Sequence, residues 1–372
     1  MKIKYTLIII LSVFIIQLFA QETEPKAQNK EEYRQIHFFK LNQANDLFTY
    51  WFQSDREFSD GVNLEFAHHI FQNKVADFVL LGIKNTEYRD FSLSVSQDMF
   101  TPSNTETTEL ISTDRPYAAQ LYFTYSKYSN NFWKGRKLVS KIFIGVQGPI
   151  AMGEEAQNTV HTWIDNPTAN GWAHQLNNGM VLDYELQYLH QIPLVSHLTE
   201  LHALAKVRVG ALLNFAEVGF RFKFGHYTDT YTNFYGIANP KYNYKFTTSD
   251  LAKLSASRKK IIPKRIRKKS AQKQIEYLNN KLNRKFQFYF FAEGMTNYML
   301  RDGTVEGSLI KFAESEHAYS YNDYNHFNLI GRYGFVLQYH RFYMEYARYL
   351  ENDVYEKYPV FGYGRIIFSY VF

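Results

Sequence analysis

From about residue 36 onward the chain repeats one polarity pattern: runs of about ten residues in which apolar and polar side chains alternate, separated by polar or turn-rich connections. In "GVNLEFAHHIF", Val62, Leu64 and Phe66 fall on one face and Asn63, Glu65 and Ala67 on the other. "RDFSLSVSQ" sets Phe91, Leu93 and Val95 against Ser92, Ser94 and Ser96. A period of two belongs to strands whose two faces meet different surroundings. Twelve such segments are read, near 36–45, 59–70, 87–98, 116–128, 137–147, 178–191, 198–212, 215–225, 286–300, 323–337, 338–350 and 361–372. After residue 20 no window offers the roughly 18 consecutive apolar residues of a membrane-spanning helix. If the mature chain crosses a membrane, it does so as strands, apolar toward lipid and polar toward a lumen. The expected fold is all-β: a transmembrane antiparallel barrel of about 12 strands, with a short helix in one extracellular connection.

Both ends of the chain change the picture. "MKIKYTLIIILSVFIIQLFA" has Lys2 and Lys4, an apolar core and Ala20 before a polar stretch, the layout of a secretory signal peptide. Residues 1–20 are therefore read as a targeting segment and 21–372 as the barrel. The last strand, "GRIIFSYVF", places Ile366, Phe368, Tyr370 and Phe372 on one face. An aromatic residue closing an amphipathic last strand resembles the assembly signal of bacterial outer-membrane barrels, which makes the barrel assembly machinery an expected partner.

Composition agrees. Aromatic residues are 18% of the chain, with 30 Tyr and 32 Phe against 4 Trp, as expected of a barrel with aromatic girdles at both membrane interfaces. The absence of cysteine excludes disulfides and thiolate metal sites, so any metal is held by oxygen or imidazole nitrogen. The formal charge of +6 is unevenly spread: residues 253–285 hold 13 Lys/Arg and a single Glu. Without that insert, which spans about 250–285, and without the first twenty residues, the chain is acidic. Such a run reads either as a solvated, disordered segment or as a docking surface for an acidic periplasmic partner or anionic lipid. Nucleic acid is not an expected partner of an exported chain. With the barrel's N-terminus in the periplasm, connections after odd strands open outside the cell. The three long ones, 46–58, 99–115 and 148–177, then lie outside, and the basic insert, after the eighth strand, lies in the periplasm.

Three polar clusters sit at the outer strand ends: Asn45 and Asp46 in "NQANDLF", Ser59 and Asp60 in "DREFSDG", and Gln157, Asn158 and His161 in "GEEAQNTVHTWI". If 153–164 is helical, Gln157 and His161 are one turn apart and face the same way. Singly, each cluster has a structural explanation: Asn-Asp is a common turn pair, Ser-Asp-Gly a loop end, and a lone His a packing residue. Together they suit ester hydrolysis. Asp and Ser oxygens match a hard cation such as Ca²⁺, and His161 has the chemistry of a general base. No G-x-S-x-G elbow occurs, although Ser59 beside His161 is an alternative nucleophile.

At these residues the chain resembles the outer-membrane lipid A 3′-O-deacylases. "NDLF" is similar to the family's Asn-Asp at the same strand end, and "DREFSDG" to its Asp-Arg-x-Tyr-Thr-x-Gly. "SQDMFTPS" resembles Gln-Asp-Ile-Tyr-Ser-Pro-Ser, and "TDRPYAA" an Asp-Arg segment. "GPIAMGEEAQNTVH" followed by "GWAHQL" repeats the Gly-Pro, Gln-Asn-x-x-His and Trp-x-x-Gln order, with eleven residues from His161 to Trp172. The resemblance implies a twelve-stranded barrel with its active site near the outer leaflet, hydrolysing the ester that carries the 3′ acyloxyacyl group of lipid A with Ca²⁺ as cofactor. It implies His161 as general base, with Asn45, Asp46, Ser59 and Gln157 at essential polar positions, and Asp46, with Ser59 near it, as metal ligands. Four positions depart from the pattern. Ser59 replaces a Thr, Pro167 stands where the family has a carboxylate six residues after the His, and Thr107 and Thr108 replace Lys/Arg residues that could engage lipid phosphates. Asp165 is the only carboxylate near enough to substitute. An outer-membrane phospholipase is the competing enzyme reading, and a channel or adhesion barrel the non-enzymatic one.

Overall fold

The alternating segments close into a single barrel in the computed structural model, which describes residues 36–45, 48, 58, 60–83, 88–192, 196–232, 236–238, 245–256, 258–352 and 360–372. The expected targeting segment and the candidate ligands Asp46 and Ser59 lie outside the described residues. Twelve strands follow chain order: β1 (Phe38–Asn45), β2 (Asp60–Ala67), β3 (Tyr88–Phe100), β4 (Ala118–Asn131), β5 (Arg136–Gln147), β6 (Gly179–Gln191), β7 (Thr199–Gly210), β8 (Leu213–His226), β9 (Phe286–Asp302), β10 (Phe327–Tyr339), β11 (Phe342–Glu351) and β12 (Gly364–Val371). Each pairs antiparallel with its neighbours, and β1 closes on β12 with Phe38 opposite Val371 and Asn45 opposite Gly364. Among the described residues no helix is long and apolar enough to cross a membrane.

Alternation decides which way each side chain points. Along β8, Val218, Phe220, Phe222 and Phe224 point out and are exposed, whereas Glu217 and Lys223 are buried inside. The inward charges meet across and between strands: Lys141 with Glu185 at 2.8 Å, Lys206 with Glu217 at 3.0 Å, Arg208 with Asp183 at 2.8 Å, and Arg221 with Glu293 at 2.6 Å. Lys40 pairs with Glu65 in the same way, and Arg332 with Glu345. A lumen laced by ion pairs is a packed interior rather than an open pore. One cavity among the described residues, 230 Å³ between Lys40, Asn63, Asp98 and Arg365, lies below the β1–β2 rim.

An even strand count puts the start of β1 and the end of β12 at one end of the barrel. The basic insert, after β8, lies at that end. Its described residues are folded, which corrects the reading of a disordered charge run. They form α3 (Thr248–Lys253), α4 (Lys264–Arg267) and α5 (Ala271–Leu282). In α5, Ile275, Leu278 and Leu282 recur at helical spacing and turn inward onto Phe132 and Tyr231, while Lys273 and Glu276 face water. Arg258 is fully buried: Nη1 donates to Gln191 Oε1 at 2.7 Å, Nη2 lies 2.7 Å from Asp229 Oδ1, and the guanidinium covers the Phe132 ring at 4.4 Å. The insert is thus a cap whose basic exterior covers an apolar and ion-paired underside.

One connection does something the alternation does not foretell. After β2, α1 (Lys74–Val79) folds back against the outward face of the wall, burying Phe91 under Ala76 and Leu80. Lys127, also outward, pairs with Asp77 at 2.7 Å and donates to Leu80 O at 2.9 Å. The outer side of this flap carries Val75, Leu81 and an 86% exposed Phe78, the apolar surface expected of a helix lying in a membrane interface.

Candidate functional site

The connections after odd strands gather at the end opposite the cap. Here the ladder between β1 and β2 ends on the pair Asn45–Asp60, and Asn45 Nδ2 donates to Asp60 Oδ1 at 3.4 Å. Asp46 follows this pair and Ser59 precedes it in the chain. The donor set is oxygen alone, carboxylate, amide carbonyl and hydroxyl, which fits a hard cation such as Ca²⁺ and not a thiophilic metal.

Between β5 and β6 a helix, α2, covers Gly153–Ile164, the bounds expected from the sequence. It is seated by close approach: a Cβ on Gly153 would stand 2.4 Å from Ala119 Cβ and 2.7 Å from the Trp172 ring. Gln97 of β3 holds the entry, donating from Nε2 to Ala151 O at 2.7 Å and to Met152 O at 3.3 Å. At the exit Asp165 takes the left-handed conformation with φ 57°, and the Asn166 amide donates to His161 O at 2.9 Å. Gly153, Gln157 and His161, four residues apart, form the buried stripe of this helix. A buried stripe of amide and imidazole, where apolar groups are the rule, requires polar partners.

Those partners fix both side chains. Trp172, buried against Tyr117 at a ring distance of 4.9 Å, donates Nε1–H to Gln157 Oε1 at 2.8 Å. Indole nitrogen is a donor only, so the bond settles which end of the amide is which. Among the described residues Gln157 Nε2 is buried without a hydrogen-bond partner, a state that costs about 1–3 kcal/mol and therefore calls for a reason. His161 Nδ1 lies 2.5 Å from the Pro167 carbonyl. A carbonyl only accepts, so Nδ1 carries a proton, and in that tautomer Nε2 is the basic nitrogen. Asn158 sets that carbonyl in place by bonding both polar groups of Ala169, N–H to Oδ1 at 2.9 Å and Nδ2 to O at 3.2 Å. Position 167 has no side-chain carboxylate, and the main-chain oxygen of the same residue is the acceptor for the ring. Asp165, the only carboxylate near enough in the chain to substitute, is exposed and caps the helix.

The surrounding connections are laced together. Asp114 accepts from Ser103 N–H at 3.0 Å and Oγ–H at 2.6 Å, and Arg115 donates to Thr304 Oγ1 at 3.1 Å. The Asn170 amide donates to Thr105 O at 2.8 Å. His174 bridges two connections, with Nδ1 2.8 Å from Glu316 Oε2 and Nε2 3.1 Å from Thr108 O. The bond to Glu316, with the Thr108 carbonyl second, raises the His174 pKa above its ordinary value. Beside buried His161, α2 presents Trp163, 77% exposed, and Ile164 to the outside.

The structure brings Gln157 and His161 together and joins Asn45 to Asp60. Sequence reasoning missed Gln97 as a clamp, the exposed Trp163, and the tie between Asn158 and Ala169, although alternation in "RDFSLSVSQ" and the helical spacing of Trp163 carried a signal for the first two.

The family model described as "Outer membrane protein LpxR" matches residues 7–372. Among solved structures, LpxR from Salmonella typhimurium superposes with a TM-score of 0.63 at 16% identity, over 90% of this chain and 100% of that one. The KdgM porin, with a TM-score of 0.33 at 5% identity over 91% and 99% of the two chains, superposes far less well. So does the beta domain of the Bordetella autotransporter BrkA, with 0.39 at 7% over 91% and 99%. No curated protein is a significant match. With the family model spanning nearly the whole chain and one of its solved members sharing the twelve-stranded barrel, this chain belongs to the outer membrane protein LpxR family, the outer-membrane lipid A 3′-O-deacylases.

Proposed function

We propose that the protein hydrolyses the ester carrying the 3′ acyloxyacyl group of lipid A, with water as the nucleophile and His161 as its general base. The observation that carries this reading is the bond from His161 Nδ1 to Pro167 O, which orients the ring and makes Nε2 the basic nitrogen of that tautomer, the atom to which we assign the proton of water. As water adds to the ester carbonyl, Gln157 Nε2, a buried donor with no other partner, is suited to hold the oxygen that gains charge. Asp46 and Ser59, beside the Asn45–Asp60 pair, would hold Ca²⁺, which when bound supplies further stabilisation of that oxygen. Trp163 and Ile164 offer an apolar surface for acyl chains at the mouth of the site. With β1 and β12 starting and ending on the periplasmic side, this rim faces the outer leaflet.

The connection from β3 to β4 presents exposed Glu106 and Glu109 and buries its one cation, Arg115. An acidic rim favours a lipid A with few phosphates. Mass spectrometry of lipid A, treated with purified barrel with and without chelator, tests the reading. Loss of the 3′ acyl group should require divalent cation and vanish with His161→Ala, whose barrel should assemble normally. Acyl release by the His161→Ala variant would overturn it, and release of fatty acid from glycerophospholipid instead would favour the phospholipase reading.

A further inference from the structure

At the capped end of the barrel, three histidines converge on the outward side of the wall. Phe38 of β1 pairs with Ala67 of β2, both buried, so His37 and His68, one step beyond on each chain, meet outside. Their rings stack at a centroid distance of 4.2 Å. His69, in the short turn His69–Phe71 that leads into α1, lies 4.2 Å from His68 by ring centroid and places Nδ1 3.2 Å from His37 Nε2. One nitrogen from each ring lies within 4.8 Å of the other two. Two rings are half-buried and His69 is exposed, so the group is held by the fold yet open to solvent.

We propose that His37, His68 and His69 form a binding site for a zinc-class transition-metal ion, with water in the fourth position. Imidazole nitrogen suits such ions and not Ca²⁺, which takes oxygen, so this site and the one proposed at the opposite rim select different metals. Two nitrogens on a tetrahedral zinc at about 2.0–2.1 Å stand roughly 3.4 Å apart. His37 and His69 already have this spacing. The metal takes the place of the ring proton between them, which moves to the other nitrogen of the same ring. His68 closes the remaining distance by rotating its ring. Its Nδ1 now accepts from the Ile70 amide at 3.2 Å, and that lone pair passes to the metal. The consequence is a staple: one ion joins the start of β1 to the root of the α1 flap. It would sit beside the closing seam, where Phe372 N–H donates to His37 O at 3.0 Å.

The test uses the full barrel in detergent, carrying no polyhistidine tag and stripped with chelator, titrated with zinc chloride by calorimetry and weighed for bound metal by native mass spectrometry. One tightly bound zinc per chain is expected, unaffected by excess Ca²⁺, with a rise in thermal midpoint. His69→Asn, at the exposed position, should weaken it at least tenfold and leave lipid A deacylation unchanged. His37→Ala should do the same; if that variant fails to assemble, His69→Asn alone decides. Zinc binding of equal strength in wild type and His69→Asn, or none in wild type, would overturn the proposal.

Discussion

In the proposed reaction Gln157 joins scaffold and chemistry in one side chain. Its oxygen is spent on Trp172, while its nitrogen is kept buried and unmatched. Replacing Gln157 with Leu removes both, and the loss of one oxyanion donor is worth about 10²–10³ in kcat. We expect a fall of that order with KM little changed, measured as initial rates of acyl release. A KM effect alone would show that Gln157 only positions substrate. Pro167 teaches the complementary lesson. Read as a letter, it is a family carboxylate lost; in the fold its carbonyl orients the His161 ring, because any acceptor at that point fixes the ring proton. Side-chain identity was legible in the sequence, but a role filled by the main chain was not.

Elements position these residues through their connections. The pairs and turns that hold α2 come from the connections after β3, β5 and β9, and His174 ties two of them through Glu316 and Thr108. Because the folded pKa of His174 is raised above its ordinary value of 6.5, its contribution is complete below that value and is lost as pH rises through the higher folded value. Amide exchange near Thr108 should therefore accelerate as pH rises through neutrality, beyond the intrinsic pH dependence of exchange. His174→Gln should abolish that excess. An identical pH profile in the variant would remove His174 from the account. The twelve strands were legible because lipid and lumen impose opposite polarities on alternate residues, and α2 because Gln157 and His161 recur at helical spacing. The α1 flap was not legible. Phe91 and Lys127 both face outward, one as lipid contact would require and the other against it, and only the returning helix explains why both are buried.

At the scale of the whole molecule, two ends with different chemistry are separated by an ion-paired interior. The cap is held by Arg258, buried between Asp229, Gln191 and Phe132. Removing one partner of a buried pair costs about 3–5 kcal/mol, so Arg258→Ala should loosen the cap while the barrel remains closed. Limited trypsin digestion should then cut at the Lys/Arg residues of 259–273 in the variant and spare them in the parent. Equal resistance would mean that the apolar underside alone holds the cap. The sequence could not tell a disordered charge run from a folded cap, since the deciding residues, Leu254, Ile261, Leu278 and Leu282, are sparse among the cations. The position of the cap after an even strand has one more implication. A segment so rich in Lys and Arg would face a steep barrier at the hydrocarbon core during barrel insertion. Placed between β8 and β9 on the side of the chain ends, those charges need never enter the bilayer while the wall is built, and the insert is free to vary in length and charge without obstructing insertion.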